Sequence, residues 1–183
     1  VQGLSVNNFV SKSFFASSGV SGSKAIFLDG AAVPSEGWSI SQILTYGVKI
    51  GIHGISTCHV KVADSIIDYC YEVGILLADN GTNVCSGWEI HDNWIGMGGS
   101  TATAAIHNAN TVANARFLSG NEIRGNRFAG YEANGCQYGY LASHANAGPD
   151  KVRDNKGWWM AQAMASAVNS PAVQMSGNTF NHT

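Results

Sequence analysis

Charge is what this chain has least of: only 12% of its 183 residues are charged, and the formal net charge is −2. A nucleic-acid footprint needs a basic face or stripe, so no nucleic-acid partner is expected. No apolar run reaches the roughly 18 residues that a membrane-crossing helix requires, and no membrane insertion is expected. The four cysteines, Cys58, Cys70, Cys85 and Cys136, contain no C-x-x-C pair, and the six histidines show no ligand spacing. No zinc site, other metal or cofactor is therefore expected. The thiols read as buried core residues, with a Cys58–Cys85 disulfide as the alternative. Helix signals are scarce as well. The most helix-like run, 158–168, reads equally as a strand and loop.

Proline, at 3 residues, is rare, whereas glycine, at 22, is plentiful, as many tight turns between short strands require. The chain is long enough for one domain, 1–183, with a substantial core. Its first residues lack the basic start and cleavage site of a signal peptide. Both ends fall inside a repeated phrase, and an open stack of strands exposes its core unless capped. The expectation is a piece of a longer protein, or one capped by partner chains.

The repeated phrase is apolar, any, any, Asn, any, apolar. It is cleanest at Ile90–Ile95, Ile123–Phe128 and Met175–Phe180. Residues 118–123 and 4–9 fit too, and 152–157 keeps the Asn but ends on Gly157. Residues 62–67 replace the Asn by Ser65, and 40–45 is the most degenerate copy. The key positions are 7, 43, 65, 93, 121 or 126, 155 and 178. Intervals of this size mark stacked repeats. Each copy reads as a short strand, a turn opened by Asn, and an apolar residue starting the next strand. Asn tolerates left-handed backbone angles, and stacked amides can bond along the stack as a ladder. A second strand per repeat is expected at Ala25–Leu28, Gly47–Ile50, Gly74–Leu77 and Gly139–Leu141, with insertions at 17–23, 98–105, 109–115 and 144–149.

This pattern resembles the right-handed parallel β-helix of the pectate-lyase-like superfamily, which includes many bacteriophage tailspikes. The expected fold is all-β, a right-handed parallel β-helix of about seven coils with loop insertions. No catalytic motif of that superfamily is recognisable.

Alternation places the two neighbours of each phrase's first apolar residue on the outer face. One column reads Gly3, Ser39, Lys61, Glu89, Glu122, Lys151, Gln174, and the other Ser5, Ser41, Ala63, His91, Arg124, Arg153, Ser176. The scarce charge thus collects in one patch. If the fifth repeat registers on Ile123, Glu89 and Glu122 are neighbours, about 4.8 Å apart by strand spacing. A close carboxylate pair divides into acid and base, as glycoside hydrolysis requires. If it registers on Leu118, that pair dissolves. Asp64 and Asp92 are a second candidate pair. A lyase would use Arg124, Arg153 and Lys151 to neutralise a uronate, with His91 or a Lys abstracting the proton. The bland alternative is a solvated face of cross-strand ion pairs.

Trp38 and Trp88 fall at core-facing positions. Trp94 and one of Trp158 and Trp159 are expected to face outward, where aromatic rings suit either sugars or a subunit contact. The expected catalytic residues are Glu89, Glu122, Asp64 and Asp92. Lys61, His91, Trp94, Arg124, Lys151, Arg153 and Trp159 are the expected substrate-binding set. The resemblance implies a homotrimeric tailspike, in a virion or extracellular, that binds and depolymerises a bacterial surface polysaccharide. The alternatives are a secreted polysaccharide lyase and a non-enzymatic glycan-binding adhesin or virion structural segment.

Overall fold

A residue pattern of polar, apolar, polar makes a three-residue strand with one side chain inward and two outward. The computed structural model describes residues 5–8, 10–12, 22–98, 102–112, 120–131, 136–144, 150–166 and 173–181. Among these the chain is all-β, with no helix. The first sheet has seven strands: Ser5–Asn7, Ser39–Ser41, Lys61–Ala63, Glu89–His91, Glu122–Arg124, Lys151–Arg153 and Gln174–Ser176. The second also has seven: Val10–Lys12, Leu44–Tyr46, Ile66–Cys70, Trp94–Met97, Arg127–Gly130, Lys156–Trp158 and Thr179–Asn181. The third has six: Lys24–Asp29, Ile50–Ile55, Val73–Ala78, Ala104–Asn108, Tyr138–Ala142 and Gln162–Ser166. A two-stranded pair, Ser35–Glu36 with Thr57–Cys58, lies apart. Otherwise the chain visits the three sheets in the same order on every pass, and strands one pass apart pair in parallel. This arrangement is consistent with a parallel β-solenoid.

The core is the stack of inward residues. In the first sheet Ile40, Val62, Ile90, Ile123 and Val152 are in register and fully buried. Ile52, Ile75, Ile106 and Tyr140 do the same in the third. Burying each such side chain is worth about 1.5–3 kcal/mol. Gly157, where the repeated phrase loses its closing apolar residue, leaves a gap that Phe180 fills, its ring stacked 6.3 Å from that of Phe128. Trp88 is fully buried and donates its indole N–H to the Thr57 carbonyl at 2.9 Å. Trp38 is partly buried against the core. All four cysteines are buried and free, so no Cys58–Cys85 disulfide forms.

The asparagines form the ladder. Asn93 donates its backbone N–H (3.1 Å) and its side-chain N–H (3.0 Å) to Oδ1 of Asn126. Asn126 bonds Asn155 in the same way at 2.9 and 3.0 Å, and Asn155 bonds Asn178 at 3.0 and 2.9 Å. The second amide hydrogen of Asn126 goes to the Ile90 carbonyl at 2.9 Å. Ser65 continues the series, its N–H donating to Asn93 Oδ1. A buried polar group is costly unless bonded, and here Asn93, Asn126 and Asn155 are each bonded from both sides.

A second polar cluster surrounds Asp150, which is fully buried. Asn121 donates to it from backbone and side chain, Asn108 donates its amide at 2.7 Å, and Tyr140 donates its hydroxyl. Burial, then the Asp150 charge, push the Tyr140 phenol far above its usual range.

Several expectations shift by a few residues. Val6 pairs with Ile40, so the first strand registers on Val6, not Leu4, and Asn7 sits on the outer column, not in the ladder. The left-handed residue of each turn is not the ladder Asn but the one before it: Asn8, Gln42, Asp64, Asp92, Gly125, Asp154 and Gly177 all have positive φ. That frees the ladder Asn to point inward. The second strand of the Ile40 repeat is Ile50–Ile55, not Gly47–Ile50, because Gly47 turns a corner at φ 72. The stretch 98–105 is not all insertion, since Ala104 opens a third-sheet strand. In 109–115, Asn110 is buried and bonded to Asn108 and Cys85. The helix-like run takes in the last residue of one strand, Lys156–Trp158, and the whole of another, Gln162–Ser166. Gly3, Leu4, Phe9, Leu118 and the expected loop segments 17–21, 99–101, 113–115 and 145–149, with 167–168, lie outside the described residues.

Asn126→Ala strands two Asn93 donors and the Ile90 carbonyl, and costs about 2–5 kcal/mol in urea unfolding. Asn7→Ala, on the exposed column, stays within about 0.5 kcal/mol. On the outer face of the third sheet, burial and Lys24 lower the pKa of His53 to about 4, and burial and His144 lower that of His107 to about 4. Both fold as neutral imidazoles, so the unfolded state takes up their protons first. Stability is therefore full above about pH 6.5 and falls as the pH drops toward 4. The urea midpoint is expected to fall between pH 7 and 5, and to fall less in a His53→Leu/His107→Leu variant.

Candidate functional site

The register of the first sheet assembles the charged patch. Glu89 pairs with Lys61 on one side and Glu122 on the other, and Glu122 pairs with Lys151. The repeat thus registers on Ile123, and the Leu118 alternative is excluded. In the next column His91 pairs with Arg124, and Arg124 with Arg153. Arg153 holds Glu122 at 2.5 Å and Arg124 approaches the same oxygen at 3.4 Å. The bond from Arg153, followed by the two arginine charges and Lys151, draws the Glu122 pKa below the usual glutamate value. Glu122 is thereby held as an ionised bridge between two guanidinium groups. His91 is buried, with Nδ1 2.8 Å from Asp92 Oδ2, and Arg124 lies 3.9 Å from that oxygen.

Asp64 and Asp92 lie at the corner between the first and second sheets. They occupy equivalent left-handed positions, φ 50 and 57, in consecutive turns. Beside them is a cavity of about 370 Å³ lined by Asp64, Ser65, Ile66, Asp92, Asn93, Trp94, Gly125 and Arg127. The glycine at 125 matters here: a Cβ would come within 2.6 Å of Asp92 Oδ1, so the carboxylate leans into space that only glycine leaves open. A second cavity, about 390 Å³, adjoins it, sharing Asp64 and Ile66 and reaching Asn8, Gln42 and Leu44. Together they make a trough along five successive strands, about 19 Å at the usual spacing. Its floor carries carboxylates and amides; its wall carries Leu44, Ile66, Trp94 and Arg127. Such a mixture of apolar wall and convergent polar groups is typical of small-molecule sites.

Trp94 is half-buried and stacks on Trp158, centroids 6.3 Å apart. Trp159, just past the strand Lys156–Trp158, is 47% exposed and does not line the trough. Lys61, Glu89, Lys151 and Arg153 likewise stand on the first-sheet face and not in the trough. The structure therefore divides the expected residues into an ion-paired patch and a groove.

Arg127 is the cross-strand partner of Trp94 and carries no distinguishing motif in the sequence. Further from the trough, Asp68, Tyr46, Tyr69 and Tyr131 cluster on the outer second sheet. No repeat marks them, because a register shift between Ile67 and Cys70 breaks the pattern there. No protein-family model, curated protein or solved structure significantly matches this chain.

The ion-paired bridge has a direct readout. In a carboxyl-detected NMR titration Glu122 is expected to titrate below an ordinary glutamate, and Arg153→Ala to move it upward. Its stabilising contribution is present above the ordinary glutamate range and is lost as the pH falls through the depressed pKa. An unmoved midpoint in Arg153→Ala contradicts the assignment.

Proposed function

We propose that the chain is a right-handed parallel β-helix of about seven coils that binds a linear polysaccharide along the trough and hydrolyses it. The observation that carries this reading is the cavity where Asp64, Asp92, Trp94 and Arg127 converge. A sugar ring offers an apolar face to Trp94 and hydroxyls to the carboxylates and guanidinium. In the reaction, Asp92, oriented by the His91 imidazole, takes a proton from the water whose oxygen bonds to the anomeric carbon as the glycosidic C–O bond breaks. Asp64 gives the proton to the leaving glycosidic oxygen. Glu89 and Glu122 take no part in bond cleavage in this scheme, because neither lines the trough and Glu122 is already engaged by two arginines.

The setting we propose is a homotrimeric, tailspike-like protein of a virion or the extracellular space, with a bacterial surface polysaccharide as substrate. The repeat pattern and the length of the trough support it. A uronate lyase has less support, since Arg124 and Arg153, which would neutralise the uronate, both contact Glu122.

Incubation of the protein with a panel of capsules and O-antigens, with products followed by mass spectrometry, tests the proposal. Products carrying added water are expected, with Asp92→Asn and Asp64→Asn each lowering turnover at least 100-fold while glycan binding persists. Unsaturated products would move the chemistry to elimination. Binding without any product would leave an adhesin.

A further inference from the structure

The outer face of the second sheet carries a cluster separate from the trough's carboxylates. Asp68 lies at its centre. The Tyr131 hydroxyl donates to Asp68 Oδ1 at 2.7 Å, and the Tyr69 backbone N–H donates to the same oxygen at 2.9 Å. Tyr46 is the cross-strand partner of Asp68. Its ring stacks on Tyr69 at 5.4 Å, and Tyr69 contacts Tyr131 at 5.4 Å and Tyr71 at 5.5 Å. Four tyrosines thus gather about one carboxylate, with Tyr46 and Tyr131 38% and 39% exposed.

The backbone is shaped around this cluster. Tyr69 is held at φ 54, a conformation that costs energy in a bulky residue and that tends to mark functional positions. A Cβ at Gly96 would collide with Asp68 Oδ1 and the Tyr131 ring, and one at Gly98 would collide with the Tyr69 ring. Two positions, one residue apart on either side of Met97, therefore omit a side chain to let the carboxylate and the rings lie close to the sheet. Burial, then the bond to Asp68, push the Tyr131 phenol up to about 12, so it remains a neutral donor. Among the described residues Asp68 makes no ion pair, whereas Glu36, Glu72, Asp92, Glu122 and Asp154 each face an arginine, lysine or histidine.

A carboxylate without a cation, ringed by electron-rich aromatic side chains, is the chemistry that recognises an organic ammonium. The carboxylate supplies charge and the ring quadrupoles supply attraction within about 6 Å of their centroids. We infer that the Asp68–Tyr46–Tyr69–Tyr131 cluster is a binding site for an organic cation, a quaternary ammonium or protonated amine group. The inference does not depend on the polysaccharide reading. The cation can be free or a substituent of a larger ligand.

The test is calorimetric titration with choline chloride and, separately, with 3,3-dimethyl-1-butanol, its neutral isostere. Choline is expected to bind with a Kd on the order of millimolar, at least tenfold tighter than the isostere. Asp68→Asn and Tyr46→Ala are each expected to weaken choline at least fivefold, whereas Asp92→Asn leaves it unchanged. Tyr46 is a surface residue, so its variant still decides the matter if Asp68→Asn does not fold. Equal binding of the two probes, no saturable choline signal, or unchanged affinity in a folded Tyr46→Ala or Asp68→Asn protein would overturn the inference. Loss of choline binding leaves cleavage at Asp64 and Asp92 unaffected, so the two proposals fail separately.

Discussion

Side-chain amide hydrogen bonds between successive turns are the constraint on which the rest depends. Each of Asn93, Asn126 and Asn155 is bonded to its neighbours through backbone and side chain, in a buried position. A one-residue slip of any turn would bury an unpaired amide and turn a strand's apolar residue toward water. Register is therefore fixed twice, by the polar ladder and by the stacked Ile and Val beside it. Ser65 is a shorter version of the same device. It accepts the Ile43 N–H at 3.3 Å and returns its hydroxyl to the Ala63 carbonyl at 2.7 Å.

The trough is a by-product of this constraint. Because the Asn side chain points inward, the residue before it must take the left-handed turn and point outward. Asp64 and Asp92 occupy that place, which brings two carboxylates together on a chain with little charge to spare. The residue after the Asn begins the second sheet and supplies Trp94 and Arg127 to the wall. Three consecutive positions of one repeated turn thus serve as floor, anchor and wall.

The stacked parallel sheets were legible because Asn93, Asn126, Asn155 and Asn178 stand at one fixed place in a phrase with apolar ends. Where a turn departs from that phrase, the sequence misleads. Residues 4–9 match it, yet Val6 and not Leu4 pairs with Ile40, since Ser5-Val6-Asn7 alternates as well as the matched register does. The charged columns were readable by alternation, but not that Arg153 and Arg124 would both turn to Glu122, which depends on side-chain rotamers. The tyrosine cluster was not legible at all. Tyr69 belongs to a bulge, Tyr46 to a neighbouring strand and Tyr131 to the end of a third, so only the fold brings them together.

The central claim is that a linear glycan lies in the corner between the first and second sheets. A crystal structure with an oligosaccharide fragment of the bound polysaccharide tests it most directly. The account predicts sugar density along the trough, one ring against Trp94 and a glycosidic oxygen between Asp64 and Asp92. An oligosaccharide seated on another face, with the trough filled only by water, would contradict it.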